Sequence, residues 1–78
     1  MKITLDISYY PLQDEFIQPI DNFIANLRER GITVEVGKMS TSMVGDYEII
    51  MSQLKASMAE FMQQHPSVFN PKITNYVH

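Results

Sequence analysis

The chain has 78 residues, enough for one domain around one hydrophobic core, and it is 45% hydrophobic and 19% charged, a composition that suits a folded globule. It contains no cysteine and carries a net charge of −3, which excludes disulfides, thiolate metal sites, cysteine nucleophiles and the basic footprint of a nucleic-acid binder. No apolar stretch approaches the ~18–20 residues that span a bilayer, and the opening MKITLDISYY alternates where a signal peptide runs apolar, so a cytoplasmic protein without membrane contact is expected.

The first residues have a period of two. Ile3, Leu5, Ile7 and Tyr9 fall on one face, with Lys2, Thr4, Asp6, Ser8 and Tyr10 on the other, and Pro11 ends this first strand by removing a backbone donor. From Asp14 to Arg30 the period becomes helical, with an apolar stripe of Phe16, Ile20, Phe23, Ile24 and Leu27. Asp14 and Glu15 suit the positive end of the helix dipole, and Pro19 confines the start of regular helix to Phe16–Gln18. Gly31 is a natural residue for the C-terminal turn.

Ile32, Val34 and Val36 then alternate as a second strand, Gly37 interrupts, and Lys38, Met39 and Ser40 lead into a short third strand from Thr41 to Val44. Asp46 reads as the N-cap of a helix from Tyr47 to about Gln64, with Glu48 in its first turn. The buried stripe of that helix is expected to comprise Tyr47, Ile50, Met51, Leu54, Met58, Phe61 and Met62. Pro66 stops it, and Val68 to Val77 reads as a last strand whose Pro71 belongs on a sheet edge or at a bulge.

The order β-α-β-β-α-β is that of an α+β, ferredoxin-like sandwich spanning residues 1–78 as one domain. Right-handed crossovers give an antiparallel sheet of order 4-1-3-2 with both helices on one face, leaving the face of Thr4, Asp6, Ser8 and Tyr10 to water or a partner. For a chain this small, oligomerisation is the remaining route to added stability.

Little in the chain suits catalysis. His65 and His78 lie beside a proline at a helix end and at the C-terminus, and both read as exposed. Gly-rich phosphate loops are absent, nothing marks a carboxylate pair, and the methionines read mainly as core filler. No metal site and no cofactor are expected. Polar and aromatic groups do gather at strand ends, in Ser8-Tyr9-Tyr10-Pro11, Met39-Ser40-Thr41 and Gly45-Asp46-Tyr47. Antiparallel pairing of the first and third strands brings Ser8 and Tyr10 toward Ser40 and Thr41, with Asp46 farther on at the helix entry. Such a set suits a small, flat, partly cationic ligand. Each residue also has a structural reading: Asp46 as an N-cap, Ser40 and Thr41 as turn residues, Tyr9 and Tyr47 as core.

The blocks I-S-Y-Y-P-L (Ile7 to Leu12), G-x-x-x-x-x-G-x-M-S-T (Gly31 to Thr41) and V-G-D-Y-E-x-I-M (Val44 to Met51) resemble the thiamine-binding-like family. The resemblance implies the ferredoxin-like fold, assembly through open sheet faces into a dimer or tetramer, no catalytic activity, and in some members binding of thiamine or its hydroxymethylpyrimidine part. It carries a binding role onto Ser8, Tyr10, Thr41 and Asp46, to which Ser40 is added on chemical grounds. The region from Pro66 to Pro71 departs from the family pattern, with no arginine and an extra proline. The expectation is therefore a non-enzymatic, homo-oligomeric binder of thiamine or a related aminopyrimidine. The alternative is a self-assembling regulatory or scaffold domain with a protein partner and no small ligand. An acylphosphatase-like activity ranks third, because Gln13-Asp14-Glu15 offers acids where that chemistry needs an arginine.

Overall fold

A computed structural model describes residues 1–76. The elements are β1 (Lys2–Pro11), α1 (Ile17–Glu29), β2 (Val34–Val36), β3 (Thr41–Asp46), α2 (Tyr47–Gln64) and β4 (Ser67–Thr74). They form one four-stranded antiparallel sheet in the order β2-β3-β1-β4, which is the expected 4-1-3-2 order read from the other edge. Val77, to which the sequence reading extends the last strand, and His78 lie outside the described residues. Among the described residues no helix is long and apolar enough to cross a membrane.

The alternation of β1 sets the core. Ile3, Leu5, Ile7 and Tyr9 are buried against Phe23, Ile24 and Leu27 of α1 and Ile50, Leu54 and Phe61 of α2. Met43 joins them from β3, so its neighbour Val44 takes the open face, 49% exposed. Strand β3 runs two residues beyond the expected Val44, because Lys2 pairs with Asp46 and the Tyr47 N–H donates to the Met1 carbonyl. Strand β2 is shorter than its apolar alternation suggests. Ile32 is buried yet precedes the strand, because its N–H is taken by the Leu27 carbonyl (3.1 Å).

Both helix ends follow local chemistry. Glu15 Oε1 accepts from the Ile17 and Gln18 N–H groups (2.9 and 3.2 Å), so the acid ahead of α1 caps it directly. At the other end the Gly31 N–H bonds to the Arg28 carbonyl and the Ile32 N–H to the Leu27 carbonyl, a Schellman motif that needs the φ of +87° adopted by Gly31. Asp46 Oδ2 accepts from the Glu48 and Ile49 N–H groups, as an N-cap of α2 should.

Three expectations need correction. Phe16, assigned to the buried stripe of α1, is 53% exposed because it precedes the first helical residue, and Pro19 is buried in its place. Met62 is exposed on α2, where Ser57 is fully buried instead, donating to Asn26 Oδ1 of α1 (2.7 Å). His65 is not merely exposed. Its ring is half-buried over Tyr9, with Nε2 2.5 Å from the Tyr9 hydroxyl, which also meets Ser67 Oγ at 3.2 Å. The cause is register: β4 runs back along β1 and brings the end of α2 over residue 9.

Candidate ligand-binding site

The hairpin turn joining β2 to β3 stands beside the C-terminal half of β1 and the apolar face of α1. Its residues Gly37 to Ser40 form one wall of a hollow of about 110 Å³, floored by Ile7 and Tyr9 of β1 and by Phe23 of α1. A wider cleft of about 290 Å³ adjoins it, sharing Tyr9, Ile20, Lys38 and Met39 and adding Tyr10, Pro11 and Phe16. The floor is aromatic and firmly held. The Tyr9 ring lies 5.1 Å from that of Phe23 and stacks on Phe69 at 4.4 Å, while Phe23 meets Phe61 edge-on at 5.5 Å. An apolar cavity of about 150 Å³ holds benzene, so a single substituted ring needs the deep hollow together with part of the adjoining cleft.

Thr41 provides the polar group of this hollow. It is only 8% exposed, on the helix-facing side of β3, and it lines the hollow. Its hydroxyl makes no hydrogen bond within the described residues, yet no buried side-chain polar atom is left without a partner, so the hydroxyl opens onto the hollow. A buried hydroxyl ordinarily finds a partner inside the protein, and one aimed into a cavity is available to a ligand.

The open sheet face holds a second polar group. Asp6 and Ser42 face one another in a pair whose backbone groups point away from each other and whose side chains are therefore close, and Ser8 and Ser40 are the next residues on that face along the two chains. Ser40 Oγ and Ser42 Oγ donate to Asp6 Oδ1 (2.7 and 3.0 Å), and Ser8 Oγ donates to the Met39 carbonyl (3.3 Å). These bonds tie the hairpin turn to β1 and fix the wall of the hollow.

Of the residues expected at the site, Ser8, Tyr10, Ser40 and Thr41 come together around this turn. Ser8, Ser40 and Thr41 line the deep hollow and Tyr10 the wider cleft. Asp46 does not join them. It pairs with Lys2 at the far end of β1, five residues or roughly 16 Å along β3 from Thr41. There it caps α2 and lies 3.5 Å from the Met1 ammonium. Reading the sequence for this site passes over Asp6, Lys38 and Phe23. Asp6 was legible as the carboxylate of the open face, two residues from Ser8. The signal for Lys38 was its place as the only charge in the turn.

Residues 2–70 match the model of the YKOF-related family. Among solved structures, a protein of Streptococcus pneumoniae is similar at 26% identity, with 99% of this chain and 89% of that chain covered and a TM-score of 0.88. A protein of Thermotoga maritima provisionally assigned to thiamine biosynthesis or salvage is similar at 25% identity, over 97% of this chain and 85% of that one, with a TM-score of 0.86. A domain of unknown function from Bacillus cereus shares the fold at 19% identity, over 96% and 76% of the two chains, with a TM-score of 0.77. No curated protein matches the chain. Among the described residues no three His, Cys, Asp or Glu side chains gather as metal ligands would.

Proposed function

The chain belongs to the YKOF-related family, and from that footing we propose that it is a cytoplasmic, non-enzymatic binding protein for thiamine or a related aminopyrimidine such as hydroxymethylpyrimidine, working as a homo-oligomer. The observation that carries this reading is Thr41, a nearly buried residue whose hydroxyl has no hydrogen-bond partner among the described residues and keeps some solvent access, at the wall of a hollow floored by Tyr9 and Phe23. A flat heterocycle fills that space, stacks against the aromatic floor and offers ring nitrogens or an amino group to the hydroxyl. The provisional assignment of the Thermotoga protein to thiamine biosynthesis or salvage supports the same ligand class. Ser8, Ser40 and Tyr10 complete the wall and the rim, while Asp46 serves as the helix cap.

The test is a thermal-shift series with thiamine, hydroxymethylpyrimidine and thiamine diphosphate. A ligand at 100 times its Kd adds about 2.7 kcal/mol of stability, a displacement of several degrees in a chain of this size. Absence of a shift with all three at millimolar concentration refutes the reading. A second reading, a self-assembling scaffold domain without a small ligand, draws on the exposed Tyr10, Val44 and Val68 of the open sheet face. It is favoured if the chain oligomerises while every pyrimidine leaves its melting unchanged.

A further inference from the structure

The charge of the cleft is opposite to that of the protein. Among the residues that line the deep hollow and the wider cleft, Lys38 alone is charged, and it lines both. Lys38 is exposed and forms no ion pair within the described residues. The backbone N–H groups of Lys38, Met39 and Ser40 likewise have no acceptor there, since the turn closes only through the Gly37 N–H to the Ser40 carbonyl (2.8 Å). No carboxylate lines the hollow or the cleft. Asp6 takes the Ser40 and Ser42 hydroxyls on the other side of the sheet, Glu15 caps α1, and Asp46 lies at the far end of β3. An anion entering the cleft meets the Lys38 ammonium with no carboxylate in the lining, beside a turn whose N–H groups have no acceptor among the described residues.

We propose that the cleft selects the phosphate monoester of a single-ring aminopyrimidine over the neutral alcohol, with the ring seated across the hollow and the adjoining cleft and the phosphate at the turn beside Lys38. This rests on the aminopyrimidine reading of the same cleft. The hollow of about 110 Å³ is smaller than a cavity that holds benzene, so the ring extends into the adjoining cleft of about 290 Å³, and its one-carbon substituent then lies in space that Lys38 also lines. A lysine is a compact point charge suited to a phosphate whose approach is not fixed by a planar fork. The net charge of −3 opposes this preference only at long range. At physiological salt such a field is screened beyond about 8 Å, whereas contact with Lys38 is not.

Isothermal titration of the wild type and Lys38→Gln with hydroxymethylpyrimidine, its monophosphate and inorganic phosphate tests this. A charge-assisted hydrogen bond corresponds to about tenfold in affinity, so the wild type is expected to bind the monophosphate about tenfold tighter than the alcohol. That ratio should fall to within about twofold in Lys38→Gln and shrink in the wild type at high salt. Binding of the alcohol as tight as that of the monophosphate overturns the inference while leaving the pyrimidine site standing. A ratio that survives Lys38→Gln, or inorganic phosphate binding as tightly as the ester, overturns it as well. Failure of both pyrimidines to bind removes the site and the inference together.

Discussion

Replacing Thr41 with valine separates a ligand-directed hydroxyl from a structural one. Thr41 sits in the hydrogen-bonded register of β3, is 8% exposed, and directs a hydroxyl without an internal partner toward a hollow of about 110 Å³. A hydroxyl buried dry and unbonded costs about 1–3 kcal/mol by the measure of protein variants, but this one borders a space able to admit water, so only part of that cost applies. Thr41→Val removes the hydroxyl, keeps the branched shape that a strand favours, and should leave the free protein between unchanged and about 1 kcal/mol more stable. The same change should weaken pyrimidine binding by about tenfold, the worth of one lost hydrogen bond together with its unsatisfied partner. Thr41→Ser should do the reverse, losing about 1 kcal/mol for a buried methyl while keeping the affinity. Urea unfolding with an unchanged m-value reports the first quantity and titration calorimetry the second. A loss of more than about 1 kcal/mol in Thr41→Val would show that the hydroxyl has an internal structural partner, and the argument for the site would fail with it.

Other expected outcomes follow from the same geometry. Gly31→Ala forces a Cβ onto a backbone at φ +87° and should cost about 1–2 kcal/mol in urea unfolding, although no atom stands in its way. Asp46→Ala removes the cap on Glu48 and Ile49 and should cost about 1 kcal/mol; its exposed contact with the Met1 ammonium adds little. Tyr9→Phe leaves His65 and Ser67 without their shared partner and should cost about 1–2 kcal/mol by thermal denaturation, with ring packing retained. Under the proposed assembly through the open face, Tyr10→Glu should lower the mass seen by sedimentation equilibrium, whereas a wild-type chain that is monomeric at tens of micromolar refutes that assembly.

Period-two alternation in β1 was enough to locate four of the thirteen buried core residues among those described, because one residue in two is buried along all of Ile3 to Tyr9. The cap at Asp46 was legible for the same local reason. What escaped the sequence depends on contacts between distant residues. Tyr9 and His65 are 56 residues apart and meet only because β4 returns along β1, so a histidine beside a proline looked free. Asp46 stood close to Thr41 in sequence, but along an extended strand five residues become a long separation, and the antiparallel register put it beside Lys2. Asp6 was passed over because the serines it receives lie 34 and 36 residues away.

The edges of the sheet explain why a face is the better surface for the proposed assembly. The bond from the Leu12 N–H to the Pro66 carbonyl fixes which residues of β4 turn their backbone groups toward β1, leaving Ser67, Phe69, Pro71 and Ile73 directed outward. Pro71 has no N–H, so that outward row is broken in its middle and a second copy cannot extend it as a continuous ladder. At the opposite edge β2 is only three residues long. The open face offers more: Tyr10 stands directly across from Val68, 52% and 46% exposed, with Val44 on the same side. From this face Ser8 and Asp6 hold the turn that carries Lys38 and walls the hollow. A copy seated there would brace that turn, so assembly and ligand binding would bias the same element. Linkage then requires reciprocity: a pyrimidine that tightens assembly must bind the assembled form tighter than the separated chain by the same factor. Sedimentation with and without saturating pyrimidine gives one side of that equality and titration of wild type against Tyr10→Glu the other. A factor of one, with assembly unchanged by pyrimidine, would mean that the turn is not the shared element.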